Sequence, residues 1–222
     1  MFSAVIVAAG SSRRAGFDKL AAHLDGVPVL RRSVDAFVAA GASAVVVVCP
    51  LSRWEETGLD SAAFPVPLVR VDGGAERQES VAAGVAALPA GTQMVAVHDG
   101  ARPLVTPEGI RACLAAAEET GAAACAHPVV DTLKRADSCG FSLPEPVSRE
   151  NLWGMETPQI FRKELLLRAY RHVAEQGLVV TDEVSAVESI GVATRLVQVG
   201  ANLKITLPGD LELAELIWKH RS

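Results

Sequence analysis

The sequence predicts an α/β fold: a mostly parallel sheet with helices on both faces and a projecting β-hairpin arm. Three observations predict it. Short β-branched runs alternate with Ala- and Leu-rich stretches along most of the chain, the pattern of successive strand–helix units. The run Val45-Val46-Val47-Val48 is apolar without alternation, as expected of a strand buried on both faces of a parallel sheet. Between residues 129 and 152 the alternation stops, and the segment is polar, punctuated by Gly140, Pro144 and Pro146, with no helical period.

Taken in order, Val5-Ile6-Val7 reads as the first strand, followed by a glycine-containing loop and a helix from Val29 to Ala40 that Gly41 closes. Val45 to Val48 is the second strand. Val66 to Val71 is the third, leading through Gly73-Gly74 into a helix from Glu76 to Leu88. Met94 to Val97, a helix from Pro107 to Glu119 and a strand from Ala122 to Ala126 continue the alternation. Within 129–152 two extended stretches, Thr132 to Ala136 and Glu145 to Ser148, suit the two sides of a hairpin arm. A loop this long inside a compact domain usually has a function. Helical pattern resumes from Arg162 to Glu175, strands are expected at Ala193 to Val199 and Leu203 to Thr206, and a last helix starts at Pro208, a residue favoured in a first turn. There is no internal repeat and no low-complexity tract, and the expected organisation is one domain over 1–222 with 129–152 inserted as the arm.

The 222 residues are half apolar and 21% charged, with a formal net charge of −5. That balance fits a globular protein with a substantial core and argues against a general nucleic-acid binder, which needs a basic face. The four cysteines, Cys49, Cys113, Cys125 and Cys139, form no C-x-x-C pair, so ordinary reduced thiols are expected. The N-terminal segment lacks the basic lead-in of a signal peptide, and the longest valine run is far too short to cross a bilayer. No membrane association is expected, and the cytoplasm is the expected compartment.

Candidate chemistry gathers after successive strands. The first strand runs into Ala8-Ala9-Gly10-Ser11-Ser12-Arg13-Arg14-Ala15-Gly16, with Lys19 just beyond. Ala9 and Gly10 let backbone approach an anion, Ser11 and Ser12 add hydroxyl and amide donors, and Arg14 and Lys19 supply the charge a triphosphate needs. The spacing fits neither G-x-x-x-x-G-K-[ST] nor G-x-G-x-x-G. Taken alone, the loop is equally a structural turn with a solvated arginine pair. Asp72-Gly73-Gly74-Ala75-Glu76-Arg77-Gln78-Glu79-Ser80 follows a strand and opens a helix, so its amides and Ser80 are candidates for reading a base edge or a ribose. His98-Asp99-Gly100-Ala101-Arg102-Pro103 puts a carboxylate and a guanidinium at the sheet edge where open α/β proteins bind ligands. Asn202-Leu203-Lys204-Ile205-Thr206 sets a lysine between apolar neighbours, and strand alternation turns Lys204 away from them.

In that order, Val7 to Gly16, D-G-G-x-E-R-x-x-S, H-D-G-A-R-P, D-T-L-K-R at Asp131 to Arg135, Thr157-Pro158-Gln159, T-D-E at Thr181 to Glu183 and N-L-K-I-T resemble the 2-C-methyl-D-erythritol 4-phosphate cytidylyltransferase family nearly end to end. The first loop alone is shared by many sugar nucleotidyltransferases; the whole series is specific. The resemblance implies a Rossmann-like fold and transfer of a cytidylyl group from CTP to a polyol phosphate in non-mevalonate isoprenoid synthesis. It further implies Mg²⁺ held mainly by the triphosphate, with no protein ligand set assigned, and a homodimer built through the arm. By resemblance, Arg14 and Lys19 contact the triphosphate, Lys204 bridges the attacking phosphate and the α-phosphate, and Arg149 holds the substrate phosphate. Ala8, Ala9, Gly74 and Ser80 lie where cytosine is selected. Asp99 and Arg102, flanking Gly100, face the polyol or the ribose, with Asp99 beside the metal shell. Thr132, Arg149, Thr157 and Thr181 are expected to serve the partner subunit's site. His98 is read as structural, because a phosphate nucleophile is already ionised and needs no base.

The chain departs from the family pattern at three places. The family's Pro-Lys-Gln after a longer loop is here Gly16-Phe17-Asp18-Lys19-Leu20, a spelling also similar to molybdenum-cofactor nucleotidyltransferases. Val130 stands where arginine is common, and Gly100 replaces the more usual alanine, a change that should be sterically harmless. A ribitol 5-phosphate cytidylyltransferase would share the fold and the phosphate residues, although D-T-L-K-R and T-D-E-V-S-A-V-E favour methylerythritol phosphate. A non-catalytic nucleotide-binding domain would be expected to lack phosphate-handling side chains, whereas Arg14, Lys19, Arg149 and Lys204 are all present.

Overall fold

The computed structural model describes residues 1–10 and 16–221. In chain order the first elements are β1 (Phe2–Val7), β2 (His23–Leu24), β3 (Val27–Pro28), α1 (Val29–Ala39), β4 (Val45–Val48), α2 (Leu51–Glu56), β5 (Leu68–Val71) and α3 (Arg77–Ala86). Then follow β6 (Met94–Asp99), α4 (Pro107–Thr120), β7 (Ala122–Pro128), β8 (Lys134–Ala136), β9 (Ser142–Pro146) and β10 (Trp153–Arg162). The remainder is α5 (Lys163–Gln176), α6 (Glu183–Glu188), β11 (Arg195–Val197) and α7 (Pro208–Arg221).

Seven strands form the main sheet in the order β11-β7-β10-β6-β1-β4-β5. β1 pairs in parallel with β4 and β6, β4 with β5, and β11 with β7, whereas β10 runs antiparallel to both β6 and β7. The predicted α/β architecture is therefore observed, with one reversed strand in a mostly parallel sheet. Strand alternation sorts the core into two layers. Ala4, Ile6, Val45, Val47, Met94 and Ala96 face one side, packed with α1, α4 and the Ala214 face of α7. Val5, Val46, Val48, Val95 and Val97 face the other, against α3, α5 and α6. Local chemistry sets the helix ends: Thr106 Oγ1 accepts from Gly109 N at 3.1 Å ahead of Pro107, and Gly121 closes α4 with φ 89°. There a side chain would be strained.

The chain leaves β1 toward β4 and β5 on one side, then crosses to β6 on the other. The strand order thus reverses beside β1, and open α/β sheets bind ligands at the carboxyl ends of strands at such a point. The loops after β1 and β6 stand there.

Several expectations are corrected. The sequence pattern predicts no strand where β10 lies, only an irregular stretch to Leu152 and a helix from Arg162. The β10 ladder shifts register between Met155 and Gln159, where Pro158 has no N–H to give. β11 covers only Arg195–Val197 of the expected 193–199 strand. Leu203 to Thr206 is extended but forms no ladder; Ile205 N instead bonds to Ala101 O at 2.9 Å. The arm is an antiparallel pair, with its strands at Lys134–Ala136 and Ser142–Pro146 rather than at 132–136 and 145–148. Val129 N closes its base by donating to Leu152 O at 2.9 Å.

Candidate active site

The first loop is held from below. Ala8 N continues the β1 ladder to Val48 O at 2.8 Å. Arg53, buried in α2, donates Nη1 to the Ala8 carbonyl and closes Nε and Nη2 on Asp18 Oδ2 at 3.0 and 2.8 Å. One guanidinium thus fastens both flanks of the loop, a role no short motif announces. Ser11, Ser12 and Arg14 lie outside the described residues. Lys19 is described, and its Nζ donates to the Ile205 carbonyl at 2.7 Å, joining this loop to the segment that carries Lys204.

The Gly73-Gly74 loop lies against the first. A Cβ on Gly73 would sit 2.5 Å from Ala9 Cβ and 2.8 Å from Ser80 Oγ, so only glycine lets the two loops meet this closely. The loop amides were expected to be free for a ligand, and they are not. Gly74 N donates to Ser80 Oγ at 3.1 Å, while Ala75 N and Glu76 N donate to Glu79 Oε2 at 2.8 and 3.2 Å. Ser80 is buried and ties the loop to its helix. In sequence these groups look like ligand donors, because nothing there shows that α3 supplies its own acceptors.

Asp99, at the end of β6, is the centre of the charge arrangement. Lys204 Nζ meets its Oδ2 at 2.7 Å, Arg77 Nη2 stands 3.5 Å from Oδ1, and Arg102 Nε lies 3.8 Å from Oδ2. Burial alone would raise this carboxyl, but Lys204 and Arg77 outweigh it and hold it down to about 2. Arg77 also forms a two-pronged pair with buried Glu183, at 2.6 and 2.9 Å, and Tyr170 Oη donates to the same carboxylate at 3.0 Å. Burial would lower Arg77, yet Glu183 and Asp99 hold it above the ordinary arginine range. Arg77 and Glu183 stand 106 positions apart in sequence, which is why neither had an assigned role.

His98 is fully buried, with Nε2 at 3.2 Å from Arg102 O and Nδ1 at 3.0 Å from Thr157 Oγ1. Burial pushes it down to about 4, so the ring is neutral near pH 7, in keeping with a structural role. Thr157 is buried as well, and its hydroxyl accepts Asp99 N at 3.0 Å. It therefore positions Asp99 from within the same chain. Gly100 fits tightly: a Cβ there would meet Leu30 Cδ1 at 2.8 Å, so the alanine expected to be harmless needs Leu30 to shift.

The segment bearing Lys204 is fixed at several points. Arg102 Nη1 donates to Asn202 O at 2.7 Å, and Asn202 Nδ2 donates to Thr157 O at 2.7 Å and to Glu156 Oε2 at 2.9 Å. Arg221, in the last turn of α7, donates to Leu104 O at 2.6 Å and to the Ala201 carbonyl. It thereby ties together the stretches that follow Arg102 and precede Lys204.

The structure thus gathers Ala8, Ala9, Gly74, Ser80, Asp99, Arg102, Thr157, Lys19 and Lys204 at one sheet edge. Three predicted residues stand apart. Thr132 and Arg149 are exposed on the arm, where Arg149 donates to the Val130 carbonyl. Thr181 stays at the surface with its Oγ1 3.3 Å from Ser185 Oγ. Among the described residues, no group of three or more His, Cys, Asp or Glu side chains is arranged to hold a metal ion, and no helix is long and apolar enough to cross a membrane. Arg77, Arg102 and Lys204 thus converge on Asp99, with Lys19 bonded to the segment that carries Lys204, and such a set of cations suits a polyanion.

Comparison with known proteins identifies the family. The family model described as IspD, 2-C-methyl-D-erythritol 4-phosphate cytidylyltransferase, matches residues 2–220. The protein of that name from Caldanaerobacter subterraneus subsp. tengcongensis is 42% identical over 221 residues, covering 96% of this chain and 97% of its own length. Its namesake from Deinococcus radiodurans is 43% identical over 220 residues, covering 98% and 90%. The crystal structure of the Thermus thermophilus enzyme superposes with a TM-score of 0.80 at 33% identity, over 99% of this chain and all of that one. The chain is an enzyme of the nucleotidyltransferase class and belongs to the 2-C-methyl-D-erythritol 4-phosphate cytidylyltransferase family.

Proposed function

We propose that the charged residues gathered at Asp99 carry out the family reaction, CTP-dependent cytidylylation of 2-C-methyl-D-erythritol 4-phosphate. A phosphate oxygen of the polyol phosphate attacks the α-phosphorus of CTP. The new P–O bond forms as the bond to the β-phosphate oxygen breaks, giving 4-CDP-2-C-methyl-D-erythritol, and pyrophosphate leaves with the electron pair. The nucleophile is already ionised and needs no base, and His98 is fully buried with both ring nitrogens engaged by Arg102 O and Thr157 Oγ1. The observation that carries the reading is the Lys204–Asp99 pair at 2.7 Å on the sheet edge, with Lys19 fastened to the same segment.

In this reading Lys204 lies between the two phosphates and offsets their repulsion, and Lys19 and Arg14 meet the triphosphate. Asp99 orients Lys204 and, with Arg102 and Gly100, borders the polyol or ribose. Gly10, Ser11 and Ser12 supply the phosphate loop. Ala8, Ala9, Gly74 and Ser80 select cytosine by the shape of the packed loops rather than by the Gly74, Ala75 and Glu76 amides. Mg²⁺ bound with the triphosphate would neutralise phosphate charge. The ionised Asp99 is the hard oxygen donor this site would offer it, and among the described residues its Oδ1 is approached by Arg77 at 3.5 Å.

One domain spans 1–222, and the arm at 129–152 joins two copies. Thr132 and Arg149 then serve the partner's site, with Arg149 taking the substrate phosphate, and Thr181 lies at that border. Thr157, buried behind Asp99, keeps a positioning role instead. Exposed Val130 and Phe141 are the apolar arm residues a second copy would cover.

A pyrophosphate-release assay tests the reading. Turnover is expected with CTP and 2-C-methyl-D-erythritol 4-phosphate, and markedly less with UTP or ATP. Faster turnover of ribitol 5-phosphate would overturn the substrate assignment.

A further inference from the structure

We infer that Glu156 is a positioning residue of this enzyme, setting Lys204 through Asn202 and linking that lysine to the base of the arm through His127. The inference rests on the cytidylyl-transfer reading above. Glu156 lies on β10 and is 8% exposed, so its carboxylate needs partners. It has one on each oxygen: His127 Nδ1 at 2.7 Å on Oε1 and Asn202 Nδ2 at 2.9 Å on Oε2. The second proton of the Asn202 amide goes to Thr157 O at 2.7 Å, and the Asn202 backbone carbonyl receives Arg102 Nη1 at 2.7 Å. Asn202 is thereby fixed at both ends, two residues before Lys204.

The other oxygen faces the arm. His127 is the penultimate residue of β7, and the arm departs directly after that strand. The ring lies across Gly154, its partner in the β7–β10 ladder, where a Cβ would stand 2.7 Å from Nε2. Gly154 and Glu156 are two apart and share a face of β10, so the imidazole crosses the glycine to reach the carboxylate. One buried side chain therefore touches both the root of the arm and the amide that sets the lysine. Neither contact involves substrate.

The test uses the full-length enzyme and CTP with 2-C-methyl-D-erythritol 4-phosphate. Glu156→Ala is expected to lower kcat roughly ten- to a hundredfold, the scale of a small misplacement of a reacting group. The KM for CTP should move by less than about threefold, since ground-state binding is not the interaction removed. Glu156→Gln keeps an oxygen to accept from Asn202 and an amide group facing His127 Nδ1, and should recover most of the rate. In a Lys204→Ala background, followed by radiolabelled single turnover, Glu156→Ala should have almost no further effect.

A readout independent of turnover is pulse acetylation of Lys204, read by mass spectrometry. Labelling should be several-fold faster in Glu156→Ala and at the wild-type rate in Glu156→Gln. Should Glu156→Ala fail to fold, Asn202→Ala removes the same link and should give the same acetylation result. Unchanged Lys204 labelling, or an additive loss in the Lys204→Ala background, would overturn the inference. An active wild type with either result sinks this inference alone. A wild type that releases no pyrophosphate from CTP sinks the underlying reading.

Discussion

Lys204 and Arg149 are both cations assigned to phosphate, and the chain places them in opposite ways. Lys204 is set by the interior: Asp99 holds its ammonium, Asn202 and Ile205 hold its backbone neighbours, and those groups are themselves cross-bonded to Arg102, Thr157 and Ala101. Arg149 is exposed on the arm, where its guanidinium donates to the Val130 carbonyl. A lysine fixed by a buried network can act from one subunit. An arginine on an exposed hairpin needs a second surface to fix it, and in the proposed dimer that surface would be the partner's site.

The comparison can be broken at either end. Lys204→Ala should lower kcat roughly a hundred- to a thousandfold, the scale of a lost electrostatic stabiliser, and should lower the thermal midpoint by a few degrees because Asp99 loses its nearest cation. Full activity would remove the interior half of the argument. Arg149→Ala should cost about ten- to a hundredfold in kcat/KM for the polyol phosphate. Refolding it as a mixture with Lys204→Ala should then restore about a quarter of wild-type activity, because half the dimers are mixed and each has one intact site. No recovery in the mixture would mean that each site uses its own arm.

Acid titration sharpens the interior side. His98 is lowered from 6.5 to about 4 by burial, so its unfolded form binds the proton more readily. Its contribution to stability is present above pH 6.5 and is lost as pH falls through 4, amounting to about 3 kcal/mol. Asp99, lowered from 3.8 to about 2, adds about 2 kcal/mol that is present above pH 3.8 and lost as pH falls through 2. Urea unfolding at stepped pH should show both windows; His98→Gln should flatten the upper one and Asp99→Asn the lower. The smallest effect belongs to the arm. Phe141→Ser, at a side chain 73% exposed, should change subunit unfolding free energy by no more than about 0.5 kcal/mol while weakening self-association measured by ultracentrifugation.

The parts legible in sequence are those with local signals. Val45 to Val48 declares a buried strand by composition, and Thr106-Pro107 with Gly121 marks both ends of α4. Lys204 was expected to turn away from its apolar neighbours, and it does so without a ladder, because extended backbone alternates whether or not it is paired. β10 escapes sequence reasoning because three of its six buried residues are polar. Glu156, Thr157 and Gln159 look like loop residues until His127, Asn202, Asp182 and the Glu183 amide, all distant in sequence, supply their partners. Arg53 and Arg77 escape it for the same reason. Their partners belong to other segments, and no spacing rule connects them.

Arg221 carries a consequence for anyone handling this protein. It acts as a brace between the Leu104 and Ala201 carbonyls, so the last helical turn bears on the site without approaching substrate. Trimming that turn, or fusing a bulky tag against it, should slacken together the stretches that follow Arg102 and precede Lys204. Such a preparation would be folded yet slow, a defect easily mistaken for damage to the chemistry itself.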